Sequence, residues 1–418
     1  MDISVIIVSY QARCFLEQCL RSVERACHGH NVEVWVIDNH SSDGTREYLA
    51  TDFPFVQFRW LNSNLGFAKA NNIALKEAKG QYVLFLNPDV VLPEDFFKHC
   101  LDWFLSHPSC GALGVRMIDG SGSFLKESKR GMPTPWRSLC KMSGLSALFP
   151  SSRRFAGYYA GHLSDKESAE VEVLAGACMM LTRAAADATG GFDERFFMYA
   201  EDIDLSCRVR QSGFQTAYLA STTIIHFKGE STRKLTVNYI RQFYGAMRLF
   251  VQKQYAGRAA LRISMQWLVA VTGMLATAGM FLQKMSLRAQ GLLKGKRRAM
   301  KTVIVASQQG FNEVLKIAAH SPLPMLISGR VSAEPNDLAY AMGTMEDISA
   351  ITAGQGVEAV VFCLDDMPAS RAIRIMQEVR GSCRFYFHYR GTRSLVGSHD
   401  RDSRGDQVSL LSYKPDSH

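Results

Sequence analysis

Several things are missing from this 418-residue chain, and each absence removes a class of protein. Its ten cysteines are scattered singly, with no Cys-x-x-Cys and no spacing that would seat zinc. That excludes a redox pair and a zinc module. Cys14, Cys19 and Cys27 fall in or near one helical stretch and are expected to be reduced core residues of a cytoplasmic protein. The apolar run at the N-terminus is only six residues long, follows Asp2 and has no cleavage site, so no secretory leader is expected. There is no internal repeat and no low-complexity tract, which excludes a solenoid and a disordered chain.

What is present is globular. The chain is 47% hydrophobic and 21% charged, enough for a large core, and its length suits two or three domains. The net charge of +9 points to nucleic acid, anionic lipid or a phosphorylated substrate. Residues 3–8 (ISVIIV), 32–37 (VEVWVI), 55–61 and 82–86 (YVLFL) read as buried strands, with helical spacing between them. Such alternation predicts a parallel α/β sheet, whose ligands sit beyond the carboxyl ends of the strands. Ser9, Tyr10, Asp38, Asn39, Asn64, Asn87 and Asp89 all fall at those ends. Residues 120–166 lack a clear period and are expected to be loops. Residues 171–181 and 214–225 read as extended.

The chain's most concentrated chemistry lies in residues 190–213, GGFDERFFMYAEDIDLSCRVRQSG. Glu201, Asp202 and Asp204 sit where a helix begins. There they either complement the helix dipole or present a general base to a cleft. Asp38 is placed to form a strand-end turn or to accept the imide N–H of a uracil or thymine. Asp89 is placed to cap a helix or to hold a divalent cation such as Mg²⁺, which would bridge phosphate oxygens and act as a Lewis acid. Lys69 and Lys76 read as a solvated helix face.

Taken in order, SVIIVSY, VIDNHSSDGT, NSNLGFAKANN, FLNPDV and GGFDERFFMYAEDIDLSCRVRQSG resemble the family 2 glycosyltransferases over residues 1 to 250. The resemblance implies the GT-A nucleotide-diphospho-sugar transferase fold. Within that family the chain is most similar to the rhamnosyltransferases of bacterial O-antigen and exopolysaccharide assembly. The resemblance then implies that Asn64, Gly66, Phe67 and Asn71 line the donor site. It makes Asp202 the base, Glu201 a group that helps hold acceptor or donor, and His226 a return to the metal. Asn87 stands where the family usually has the first acid of Asp-x-Asp, which leaves Asp89 as the direct ligand of Mg²⁺ or Mn²⁺. It further implies inversion at the anomeric carbon, a dTDP-rhamnose donor (or another dTDP- or UDP-sugar), and a lipid-linked saccharide acceptor. A nucleotidyltransferase and a non-catalytic assembly scaffold are the competing readings. Nucleic acid is not expected as a partner, because the basic charge clusters around an apolar segment and is not interleaved with aromatics.

Residues 265–282 hold 18 residues without a charge, flanked by Arg258 and Arg262 before and by Lys284, Arg288, Lys294, Lys296, Arg297 and Arg298 after. Basic charge on both sides suits an interfacial helix on an anionic membrane surface, at the inner face of the plasma membrane. The other reading is a helix buried between domains. From Lys301 a second small α/β unit begins, similar to the Rossmann-like domains fused to some polysaccharide sugar-phosphate transferases. Its Ser307-Gln-Gln-Gly310 turn lacks the full dinucleotide fingerprint, so docking or oligomerisation is an equal reading. The expected division is a GT-A domain (1–250), a basic and apolar linker (251–299), the Rossmann-like unit (300–395) and a polar tail (396–418).

Overall fold

The computed structural model of the chain describes residues 1–227, 236–291, 299–320, 324–334, 337–398 and 405–410, with residues 282–291 described by backbone alone. Lys284 and Arg288 as side chains, the basic cluster at 294–298, residues 228–231 after His226–Phe227, and most of the polar tail lie outside what is described.

The first stretch alternates as its apolar runs dictate. It comprises β1 (Ile3–Ser9), α1 (Arg13–Ala26), β2 (Val32–Asp38), α2 (Thr45–Leu49), β3 (Val56–Trp60), α3 (Phe67–Glu77) and β4 (Tyr82–Leu86). These four strands run parallel in the order β3-β2-β1-β4. Every residue of β1 is buried, which is why that strand is continuously apolar and does not alternate. The chain continues through β5 (Val90–Val91), α4 (Phe96–Ser106), β6 (Cys110–Ile118), α5 (Pro135–Met142), α6 (Leu145–Leu148), β7 (Ala169–Glu170), β8 (Cys178–Thr182), α7 (Arg183–Thr189), α8 (Glu201–Gln211) and β9 (Gln215–His226). The sheet extends as β8-β6-β9-β5, with β7 on β9.

The parallel expectation holds for these four strands, and the outer half of the sheet departs from it. β8 runs antiparallel to both β4 and β6, and β5 runs antiparallel to β9, so the sheet is mixed. An apolar strand reads the same in either direction; the path of the connection decides its sense. Within 171–181 only residues 178–181 belong to a strand, β8. The stretch expected to be loops contains α5 and α6, which expose Trp136, Leu139, Met142 and Leu148, with Phe149 exposed just after them.

Two long helices follow, α9 (Val237–Gln254) and α10 (Ala259–Gly291). They meet through Val251, Met265 and Val269. Residues 259–281 of α10 are long and apolar enough to cross a membrane, yet only 6% of that window is buried. Trp267, Met274, Leu275 and Phe281 are exposed, so α10 is not a helix buried between domains.

A second sheet is built from β10 (Met300–Ala306), α11 (Gln308–Ala318), β11 (Met325–Ser332), β12 (Ala341–Thr344), α12 (Ile348–Gln355), β13 (Ala359–Cys363), α13 (Ala369–Glu378), β14 (Arg384–His388), β15 (Ser394–Gly397) and β16 (Asp406–Ser409). The order is β12-β11-β10-β13-β14-β15-β16, parallel up to β14 and antiparallel after it. β16 lies in the stretch expected to be tail. It is mostly polar, as an edge strand can be, with Val408 alone buried against the sheet's core.

The second sheet docks on α1. Gln18 donates from Nε2 to the Thr392 and Ser394 hydroxyls, both at 3.0 Å, and accepts from Tyr389 N at 3.0 Å. Glu17 accepts from Ser394 Oγ and Tyr48 OH, each at 2.5 Å. Beside them, Phe227 stands between Phe15 and Phe387, with ring centroids 5.2 and 5.3 Å away.

Candidate functional site

A cleft of about 350 Å³ opens beyond the carboxyl ends of β1, β2 and β4 and in front of α8. Ten of the candidate residues line it: Tyr10, Asn39, Asn64, Gly66, Phe67, Asn87, Asp89, Glu201, Asp202 and His226. Ser9, Asp38 and Asn71 stand behind its wall. Asn71 donates its side-chain amide back to Phe67 O at 2.9 Å.

On one side of the cleft, Asn39 latches the Asn64–Gly66 loop. Its Oδ1 accepts from Leu65 N at 2.8 Å, and its Nδ2 donates to Gly66 O at 3.2 Å. Gly66 has φ +83°, and a Cβ there would lie 2.4 Å from Phe197 O. Glycine is required because the Phe197 strand of backbone is drawn onto this loop, with Phe67 N donating to Phe197 O at 2.7 Å. Behind it, Asp38 does form a turn, since its Oδ1 accepts from Ser41 N at 2.8 Å. Its Oδ2, however, is buried without a partner among the described residues, and burial pushes its carboxyl above the ordinary range.

Asp89 does not cap a helix. It precedes β5 and faces His226 at the end of β9, with 3.4 Å between Oδ1 and Nε2. Both are buried, and His226 Nδ1 has no partner among the described residues. No group of three His, Cys, Asp or Glu capable of holding a metal occurs among the described residues. One carboxylate with one imidazole still fits a divalent cation whose remaining positions are filled by phosphate oxygens and water. That donor pair suits Mn²⁺ at least as well as Mg²⁺.

At the mouth of α8, Tyr199 and Ala200 take successive left-handed conformations, φ 73° and 64°. This sharp entry puts Glu201 and Asp202 in the first turn, facing the cleft. Asp202 is held at three points: Arg130 Nη2 at 2.5 Å and Gly176 N at 3.1 Å on Oδ2, and Ile203 N at 2.8 Å on Oδ1. Arg130 is itself fixed by pairing with Val173 and by donating to Leu174 O at 2.6 Å. Glu201 is buried, and its Oε2 has no partner among the described residues. Burial first, and the charge of Asp202 second, push its carboxyl well above the ordinary range. Asp204 serves structure: it pairs with Arg208 at 2.7 Å and with Lys253 of α9 at 2.6 Å. Lys69 and Lys76 are exposed.

Arg130, Gly176, Phe197 and Tyr239 also line the cleft and escaped the sequence reading. Gly176 carried a signal, as a break in an apolar run. Arg130 carried none, being one basic residue in an irregular stretch.

The description "Glycosyl transferase family 2" fits residues 4–187. The N-acetylglucosaminyl-diphospho-decaprenol L-rhamnosyltransferase of Mycobacterium tuberculosis is 30% identical over 312 residues, spanning 72% of this chain and 97% of that protein. The low-salt glycan biosynthesis hexosyltransferase Agl10 of Haloferax volcanii is 24% identical over 263 residues, 60% of this chain and 76% of that one. Among solved structures, a Pyrobaculum calidifontis mannosyltransferase in complex with GDP-Man and Mn²⁺ covers 70% of this chain and 76% of its own. It is 15% identical with a TM-score of 0.42, too loose a match to carry an argument.

Proposed function

The chain belongs to the family 2 glycosyltransferases, and from that premise we propose that it moves rhamnose from dTDP-rhamnose to a lipid-linked saccharide, with inversion. One observation carries the reading. Four buried polar atoms around the cleft, Ser9 Oγ, Asp38 Oδ2, Glu201 Oε2 and His226 Nδ1, lack partners among the described residues. Native proteins leave few such groups unpaired, so their clustering marks where a polar ligand completes them.

In this proposal Asp38 Oδ2 accepts the imide N–H of the thymine, and the loop latched by Asn39 borders the donor. Asp89 and His226 hold a divalent cation, which when bound neutralises charge on the departing diphosphate. Asp202 takes the proton from the acceptor hydroxyl as that oxygen bonds to the anomeric carbon and the carbon–phosphate oxygen bond breaks. A single attack opposite the leaving group inverts the centre. Arg130 and the Gly176 N–H keep the carboxylate aimed. Glu201, kept protonated by burial, donates a hydrogen bond to a sugar hydroxyl. We assign this work to residues 1–250. Residues 251–299 rest on the inner face of the plasma membrane, 300–395 form a Rossmann-like docking unit, and 396–418 follow it.

Nucleoside diphosphate release tests this with a panel of sugar nucleotides, Mg²⁺ or Mn²⁺ and a membrane-lipid extract. Release from dTDP-rhamnose should fall about 10²- to 10⁴-fold in Asp202→Asn, the range for losing a general base. Release from a different donor would replace the sugar. Release untouched by the substitution would remove Asp202 from the base role.

A further inference from the structure

Three hollows adjoin, each sharing lining residues with the next. The cleft ends at Phe197 and Met198, which also line a second hollow of about 400 Å³ containing Arg195, Asn238, Arg241 and Gln242. Arg241 and Gly245 are in turn shared with a groove of about 770 Å³ between α9 and α10. The walls of that groove are largely apolar: Ile240, Tyr244, Val269, Met274 and Phe281. The order along the track is a saccharide-sized cleft, a polar and cationic stretch, then an apolar trough.

Only part of the charge in this track is paired among the described residues. Neither α9 nor α10 carries an acidic residue, and none occurs anywhere in 237–291. Arg195 is engaged with Asp193, at 2.6 Å. Arg241 and Arg248 are exposed, line the groove and make no ion pair among the described residues. Arginines without counterions, set at the mouth of an apolar groove, call for an anion attached to a hydrocarbon chain.

We propose that the α9–α10 groove seats the isoprenoid chain of a lipid diphosphate-linked acceptor, with Arg241 holding the diphosphate so that the saccharide reaches Asp202. This rests on the transferase reading and adds to it the place where the acceptor's lipid is seated. It gives α9 a part in acceptor recognition beyond bracing α8 through Lys253. A phospholipid offers a phosphate and a chain too, but it has two chains for one groove and a single phosphate for the arginines.

Gly245 allows a clean test. A Cβ there would meet nothing within 4 Å, and Gly245 lines the groove, so a leucine there starts from open space and takes up groove volume. It also replaces a helix-interior glycine, which favours folding. The probe is geranylgeranyl diphosphate bearing a photoreactive group, crosslinked to the full chain in detergent and mapped by peptide mass spectrometry. Label is expected within 237–281, displaced at least about tenfold better by geranylgeranyl diphosphate than by geranylgeraniol, as one charge-assisted contact provides. Arg241→Ala should weaken labelling about tenfold and Arg241→Lys should restore most of it. Gly245→Leu should abolish it while thermal melting shows an intact fold. Label mapping elsewhere, equal displacement by phosphatidylglycerol vesicles, or full labelling of Gly245→Leu would each overturn the proposal. Failure of the parent reading looks different: a changed donor sugar leaves the labelling as it is. A soluble acceptor would keep nucleoside diphosphate release alive with no labelling at all.

Discussion

Glu201 is buried one position before Asp202, and its raised pKa has a consequence for stability. An acid whose pKa is higher folded than unfolded binds its proton more tightly in the folded state. Its contribution is whole below the unfolded pKa and is lost as pH rises through the folded one. Wild type should therefore lose stability as pH climbs out of the ordinary carboxylate range. Glu201→Gln keeps the shape, removes the titration and should flatten that decline. Urea midpoints taken across the range decide it, and parallel curves for the two proteins would show that this burial carries no penalty. Asp193 has the opposite sign: hydrogen bonds from Arg195 and Lys253 hold its carboxyl far below the usual range, so its contribution fades in acid. At this scale the sequence was half legible. Acids at strand ends and at a helix start announce themselves by position. The cation that aims one of them does not, because Arg130 reaches Asp202 across 72 residues from a segment with no period.

The loop carrying Gly66 and the helix α10 make the sharpest demands among the elements. Gly66 adopts φ 83° and ψ 173°, a region essentially reserved for glycine. Gly66→Ala should cost about 1–3 kcal/mol of backbone strain and lift Phe197 off the loop. The expected result is a raised donor KM with the fold kept, measured by donor titration; an unchanged donor KM would take this loop away from the donor. For α10, the exposed Trp267 is the reporter. Its emission, isolated by comparison with Trp267→Phe, should shift to the blue in phosphatidylglycerol vesicles and be quenched by bromolipids. An unchanged spectrum would detach the helix from the bilayer. The strands β1 to β4 were plain in the sequence because buried parallel strands are unbroken β-branched runs. α5 and α6 were not, because helices of eight and four residues contribute too few turns to set a period. The reversed sense of β8 was not, because direction has no residue signature.

At the scale of the whole molecule, the two sheets share a core. Phe15, Val91, Ile118, Ile225 and Phe227 from the first pack with Met367, Ala369, Phe385 and Phe387 from the second. The buried side chains of Glu17 and Gln18 find most of their partners across the same boundary. Unfolding should accordingly appear as one calorimetric transition, and two separated transitions would contradict it. Phe387→Ala should cost about 3–5 kcal/mol, the range for truncating a buried phenylalanine. It should also weaken metal-dependent nucleotide binding, because Phe387 backs Phe227 and Phe227 follows His226. The same ring-to-ring contact limits how such chains can be recombined. A hybrid spliced near residue 299 would unite halves whose facing surfaces were fitted to other partners. The part that travels intact is not the transferase sheet alone but that sheet together with the α1 surface and the β14–β15 turn that grips it.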